Sequence, residues 1–300
     1  MKILMTGITG FIGSHLAEHL ILQGDEVWAI IRPNSDIDSL PRNVKNQTRF
    51  LINDKNNTLY NILENLTKSQ SKPDLVYHLA SLYISQHSAQ DINNLIASNI
   101  KFGTNLLEAM TNQKIYNIVW AGTSWQHFEN AKYNPVNLYA ATKEAFDCII
   151  KYYFETTKLK GICLKLFDTY GPADKRKKLM SLLIDAAISG TKIELSPGEQ
   201  KIDLVYIDDV VKAFILAGKR LLDGKVLKSE EYGVSSKNAI SIKELAQQIE
   251  RITNKHLNIE WGKRPYRLRE VMIPWSKFKT LTGWNPKICL EEGVCRMMIK

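Results

Sequence analysis

The chain has 300 residues, 44% hydrophobic and 24% charged, with 16 glycines and 9 prolines. This composition excludes disordered, collagen-like and low-complexity chains and fits one large domain or a domain with a smaller lobe. Lys+Arg outnumber Asp+Glu by 40 to 31, a formal net charge of +9, which favours an anionic small ligand. The basic residues are scattered, and the densest run, Lys175-Arg176-Lys177-Lys178, is too short to mark nucleic-acid or membrane-surface binding.

In chain order, short apolar runs at Ile3–Thr6, Glu26–Ile31, Arg49–Asn53, Leu75–His78, Asn117–Ala121 and Ile162–Leu166 predict strands. Helical patterns at Phe11–Gln23, Leu59–Lys68, Asp91–Met110 and Ala140–Glu155 lie between them. Strands separated by helices imply parallel pairing with right-handed crossovers, hence an α/β doubly wound sheet of the Rossmann type. After Tyr170-Gly171-Pro172 the alternation weakens. Helices near Leu179–Ser189, Asp208–Leu221 and Ser241–Thr253 predict a smaller C-terminal lobe. The division expected is 1–166 for a dinucleotide-binding domain and 167–300 mainly for a substrate-binding lobe, with some segments returning to the first domain. No apolar run reaches the ~18–20 residues of a membrane-spanning helix. The start, Met1-Lys2-Ile3-Leu4-Met5-Thr6, turns glycine-rich at once, unlike a signal peptide. Cys148, Cys163, Cys289 and Cys295 form no CxxC pair. The expectation is a cytoplasmic protein with reduced thiols.

Thr6-Gly7-Ile8-Thr9-Gly10-Phe11-Ile12-Gly13 joins the first strand to the first helix. Such a loop permits a tight turn, close approach of a pyrophosphate to the backbone and close helix–strand packing. The helix N-terminus adds free N–H groups and a positive dipole end. Gly7, Thr9, Gly10, Phe11, Ile12 and Gly13 are therefore candidate dinucleotide contacts. Arg32 ends the second strand, where NAD-binding sheets carry an acidic residue to accept from the ribose hydroxyls. Arginine cannot accept, but it can pair with the 2′-phosphate of NADP. NADPH is thus expected over NAD, with Asn34 and Ser35 able to add hydrogen bonds. His15-Leu16-Ala17-Glu18-His19 has the spacing of a zinc-peptidase motif. It lies inside the helix opened by the glycine loop, no third ligand is evident, and no metal is expected.

Tyr139-Ala140-Ala141-Thr142-Lys143 puts a phenol and an ammonium on one helix face. A lysine cation beside a phenol lowers its pKa, so that proton exchange near neutral pH is expected. The pair opens a helix after the fifth strand, which ends in Ala121-Gly122-Thr123-Ser124, with hydroxyls at the carboxyl edge where ligands bind.

Taken in order, Thr6–Gly13, His78-Leu79-Ala80-Ser81, Thr123-Ser124, Tyr139…Lys143, Tyr170-Gly171-Pro172, Tyr206-Ile207-Asp208-Asp209-Val210 and Gly283-Trp284-Asn285-Pro286 resemble the extended short-chain dehydrogenase/reductase family over nearly the whole chain. The resemblance implies Tyr139 as proton donor or acceptor and Lys143 as the residue that binds the nicotinamide ribose and tunes Tyr139. Leu79, Ala80, Ser81 and Asp54 would be further cofactor contacts, with Asp54 near the adenine or else a strand-end cap. A hydroxyl after the fifth strand would bind the reacting oxygen. Counting gives Thr123, with Ser124 as the alternative.

The second half resembles the nucleotide-sugar branch, in pattern the CDP-abequose and CDP-paratose synthases, which reduce a CDP-4-keto-3,6-dideoxyglucose at C4. Asp168 stands where the broader family commonly has Asn, and Ile202 where many relatives have a phosphate-binding Arg. Ser124, Asp168, Arg176, Lys177 and Arg267 are the implied substrate contacts, the basic ones facing a diphosphate. The expected activity is NADPH-dependent reduction of a nucleotide-linked 4-keto-deoxyhexose for surface polysaccharide. A 4-epimerase that retains NAD is the alternative, opposed by Arg32. A non-enzymatic NADP sensor is a third reading, but it has no need of the tyrosine–lysine pair. Ser124-Trp125 stand where dehydratases carry Asp-Glu, which removes the elimination catalysts. Apolar residues on two sides of Asp91–Met110 and Leu138–Glu155 predict a homodimer through these helices.

Overall fold

The computed structural model describes residues 1–176 and 178–298. The six strands read from sequence form, at Lys2–Thr6 (β1), Glu26–Ile31 (β2), Thr48–Ile52 (β3), Leu75–His78 (β4), Asn117–Thr123 (β5) and Lys160–Leu166 (β6). Short strands follow at Asp168–Tyr170 (β7), Ile193–Glu194 (β8), Lys201–Ile202 (β9) and Leu204–Tyr206 (β10), and Ser229–Val234 (β11) returns to pair with β6. The central sheet is parallel throughout, in the order β11-β6-β5-β4-β1-β2-β3. The chain runs outward from β1 to β3 and then crosses to β4 on the other side of β1. The crevice between β1 and β4 is therefore the topological switch point, where an open α/β sheet binds ligands.

Side chains alternate between the two faces, as the period of two requires. Ile3, Met5, Tyr77, Val119 and Ile162 join a core packed with Phe11–Leu22 (α1), Arg42–Gln47 (α2) and the later Ile207–Leu222 (α8). Leu4, Val76, Ile118, Trp120 and Cys163 join a second core with Leu59–Lys68 (α3), Phe102–Asn112 (α5) and Leu138–Thr156 (α6). Asn137 caps α6 by accepting from Ala140 N–H at 3.0 Å. The lobe gathers Leu179–Ser189 (α7), Ile242–Thr253 (α9) and Leu290–Met298 (α10) around three two-stranded pairings, β7 with β10, β9 with Ile240–Ser241 (β12), and β8 with Ile259–Glu260 (β13).

Asp91–Met110 departs from the single helix expected. A 3-10 turn at Ala89–Asp91 leads into Ile92–Ile96 (α4), then a π-helical stretch at Ala97–Lys101, then α5. Such a π-turn inserts one extra residue into the ladder. Here it carries Asn99, 3% exposed, into the interior.

Candidate active site

The glycine loop has no room for side chains at two positions. Gly7 has φ +77°, and a Cβ there would lie 2.6 Å from Ala80 N; a Cβ on Gly13 would lie 2.1 Å from the Gly7 carbonyl oxygen. Gly10 is the N-cap of α1 and supplies no side-chain cap. The first N–H groups of α1 are thus left for an anion. This cradle, which a Cβ would fill, fits a dinucleotide pyrophosphate. Gly7, Gly10, Phe11, Ile12 and Gly13 line a cavity of about 180 Å³ together with Leu79, Ser81, Thr123, Tyr139 and Lys143. Ala80 backs Gly7 and donates its N–H to Thr6 Oγ1 at 3.2 Å. Thr9, Arg32 and Asp54 do not line this cavity.

Arg32 follows β2 directly, exposed on the sheet edge that carries the glycine loop, and its N–H donates to Ser35 Oγ at 3.0 Å. Asp54 follows β3 and is also exposed, with Oδ1 accepting from the N–H groups of Asn56 (2.8 Å) and Asn57 (2.7 Å). The capping alternative describes what this carboxylate does within the chain.

The sequence reading expected Lys143 to lower the pKa of Tyr139. The structure reverses that sign. Burial pushes the Tyr139 phenol up to about 12, against the opposing effects of the Ser81 hydroxyl and the Arg176 charge. The Lys143 ammonium, 4% exposed, is pushed down by burial and held up by Asp147 on the same helix. Desolvation disfavours both charged forms. Asn99 ties the site together: its Oδ1 accepts from Leu82 N–H (2.7 Å) and Ser81 Oγ (3.1 Å), and its Nδ2 donates to Thr142 Oγ1 on α6 (2.9 Å). Sequence periodicity could not single out Asn99, because only the π-turn brings it inward.

Thr123, 8% exposed, ends β5. Its Oγ1 accepts from Trp125 N–H at 3.3 Å, leaving the hydroxyl proton to donate. Ser124 lines both this cavity and a larger one of about 430 Å³, walled by loops after β4 and β5 on one side and by the lobe on the other. Tyr83, Trp125, Asp168, Arg176 and Lys178 line both as well, so the two spaces meet beside Tyr139. Tyr83 was not read from sequence, since no motif contains it.

The charged residues at this junction arrive partnered. Arg176 forks onto Asp174, with Nε and Nη2 each at 2.7 Å, and its guanidinium lies 4.8 Å over the Phe11 ring. Lys178 pairs with Asp168 at 3.6 Å. Arg267 lines only the larger cavity and forks onto Glu270 (3.0 and 2.7 Å). Lys177, also expected at the substrate, lies outside the described residues. His15 and His19 direct Nδ1 to carbonyls of their own helix, Phe11 O at 2.8 Å and His15 O at 2.9 Å.

Residues 3–228 match the NAD dependent epimerase/dehydratase family, and the chain belongs to that family. It is 29% identical to a CDP-abequose synthase of Yersinia pseudotuberculosis over 289 residues, 96% of each chain. It is 28% identical to a UDP-glucuronate 4-epimerase of Thermodesulfobacterium geofontis, over 98% of this chain and 94% of that one. A UDP-glucuronic acid 4-epimerase of Bacillus cereus, solved with UDP-glucuronic acid and NAD, superposes with a TM-score of 0.83 at 25% identity, covering 99% of this chain and 98% of that one. No helix among the described residues is long and apolar enough to cross a membrane.

Proposed function

We propose that this chain reduces the C4 ketone of a nucleotide-linked 4-keto-deoxyhexose with NADPH, in the making of a surface-polysaccharide sugar. One observation carries the reading: the Tyr139 phenol, whose protonated form burial favours further, lines the glycine-loop cavity and packs on Tyr83, which lines both that cavity and the larger one. Ketone reduction needs an acid at that point, and oxidation of an alcohol needs a base.

Gly7, Gly10, Phe11, Ile12, Gly13, Leu79, Ala80 and Ser81 would hold the nicotinamide dinucleotide, with Arg32 on the 2′-phosphate. When bound, that cofactor supplies the hydride. Tyr139 donates its phenolic proton to the carbonyl oxygen of the sugar, and Thr123 donates a hydrogen bond to the same oxygen as charge develops on it. The buried Lys143 ammonium stabilises the phenolate that donation leaves. Asp168 and Ser124 face the sugar end of the substrate, and Arg176 and Arg267 the diphosphate, exchanging their carboxylate partners Asp174 and Glu270 for phosphate oxygens.

The similarity to CDP-abequose synthases over nearly the full length supports a reductase. The likeness to 4-epimerases supports a second reading, NAD-dependent C4 epimerisation. A screen of CDP-, dTDP-, GDP- and UDP-linked 4-keto sugars with NADPH decides between them. Stoichiometric NADPH oxidation is expected with at least one. Protein that purifies with tightly retained NAD and oxidises no NADPH in this screen would point to the epimerase instead.

A further inference from the structure

An ionic network centred on a buried lysine lies beneath the hydroxyl turn and reaches the surface at Glu231, and none of the motifs read from sequence contains it. Its centre is the Lys165 ammonium on β6, 1% exposed, at 2.6 Å from Asp147 Oδ2, 3.3 Å from Glu231 and 3.9 Å from Glu144. Asp147, Cys163 and Glu231 have the mutual spacing of a metal-ligand set, but Lys165 supplies the cation among them. Trp120 Nε1 donates to the other Asp147 oxygen at 2.7 Å.

Gln126 links this network to the reacting end of β5. It is 0% exposed, and its Nε2 donates to Glu144 Oε2 (2.6 Å) and Asp147 Oδ2 (2.9 Å). Its Oε1 accepts the Thr123 N–H at 3.0 Å. Thr123 and Gln126 thereby close a capping box around the 3-10 turn Ser124–Gln126. Both Gln126 amide protons are taken by carboxylates of α6, the helix that carries Tyr139 and Lys143. Gly122 makes this possible. A Cβ there would lie 2.6 Å from Lys165 Cδ and 3.1 Å from Gln126 Oε1, so any larger residue would push the network apart.

We infer that Gln126, anchored by Asp147, Glu144 and Lys165, is a positioning residue that fixes the Thr123 hydroxyl turn against the helix bearing Tyr139. It touches neither cofactor nor substrate. It acts by holding two groups that must meet one carbonyl oxygen, a geometry in which a displacement of about 1 Å is enough to lower rate by roughly 100-fold. The inference rests on the reductase reading for its kinetic consequence and on the structure alone for the anchoring.

Two substitutions test it. Gln126→Met keeps the volume and removes all three hydrogen bonds. Turnover of the 4-keto sugar that the unmodified chain reduces fastest should fall about 10- to 100-fold, with KM and the NADPH-binding stoichiometry within about twofold of the parent. Amide exchange at Thr123 should rise at least about tenfold. Gln126→Glu keeps the acceptor for Thr123 but faces two carboxylates without a donor until it protonates. Its turnover should therefore be poor near pH 8 and recover toward about pH 6, a limb absent from the parent. Should both variants retain parental turnover and Thr123 exchange, the inference is overturned. Should the parent reduce none of the sugars, the substrate reading fails, and the exchange measurement still judges the anchoring by itself.

Discussion

The Tyr83 ring stands edge-on to the Tyr139 ring, centroids 5.1 Å apart at an interplanar angle of 80°. Trp125 lies 6.0 Å beyond Tyr83. Lys178 sits over Tyr83 (5.5 Å) and Arg267 over Trp125 (5.4 Å). The phenol of Tyr139 thus faces an aromatic wall with cations along its outer rim. Burial keeps the proton on the phenol, and the cations suit the diphosphate of the proposed substrate.

Tyr139→Phe should lower turnover beyond about 100-fold, the scale of a general acid assisted by neighbours. NADPH affinity should change little, because the glycine loop carries most of the cradle. Steady-state kinetics and a fluorescence titration separate the two effects. Near-normal turnover in this variant would remove Tyr139 from the acid role.

The pH dependence follows from the raised phenol. A group with a pKa of about 12 is protonated throughout the neutral range, so the acid form is present below that value and lost above it. The rate of ketone reduction should stay flat from about pH 6 to about pH 9 and decline only in more alkaline buffer. An alkaline limb with an apparent pKa near 7 would show that the lysine effect expected from sequence outweighs burial after all.

The elements of the site were more legible than its electrostatics. The glycine loop, the β4 loop and the tyrosine–lysine helix each carry a local pattern, and the sheet topology brings them to one crevice. The sign of the Tyr139 shift depends on burial by the folded chain, opposed by Ser81 and Arg176, residues distant in sequence. Asn99 depends on a π-turn, which the apolar spacing of Asp91–Met110 does not announce. Gln126, Asp147 and Lys165 meet only because β5, β6 and α6 pack together. Strand β11 carries no apolar signal in the sequence, because Ser229-Glu230-Glu231 is polar. It lies at the sheet edge, where Glu230 pairs with Arg220 at 2.6 Å.

Arg32 should set cofactor choice. NADPH is expected to bind more tightly than NADH, and Arg32→Asp should shrink or invert the preference. A charged phosphate contact contributes roughly 1.5–3 kcal/mol, about tenfold to a hundredfold in affinity. Calorimetric titration of both cofactors measures it. Equal affinity of the unmodified chain for both would count against the 2′-phosphate role.

His78 links folding to pH. It is 2% exposed, and Thr6 Oγ1 lies 2.8 Å from its Nδ1. Burial, with the Lys143 charge, lowers its pKa from 6.5 to about 3. The unfolded chain therefore takes up this proton first. The stability contributed is complete above about pH 6.5 and is lost as pH falls toward 3, on the order of 2 kcal/mol by about pH 5. Urea unfolding of the parent and of His78→Gln should give a stability difference that narrows as pH falls from 7 to 5. A difference independent of pH across that window would mean that His78 is not buried neutral.

The last prediction concerns assembly. Leu95, Leu106 and Leu107 are fully buried within the chain, as are Phe146 and Ile150 on α6 within 1%. Packing on the sheet thus uses one stripe of each helix. An apolar remainder stays at the surface, with Ile92 and Ile96 on α4 and Tyr152 on α6 all more than 40% exposed. A two-fold contact would cover it, because an isologous interface lets the same helices meet their own copies. Light scattering at micromolar concentration should report about twice 34.3 kDa. Placing a charge in this exposed remainder, by Ile96→Glu with Tyr152→Glu, should return the monomer mass with NADPH binding intact, since neither residue lines the cofactor cavity. A parent that is already monomeric under these conditions would sink the dimer and leave the reductase proposal standing, because every residue named in the site comes from one chain.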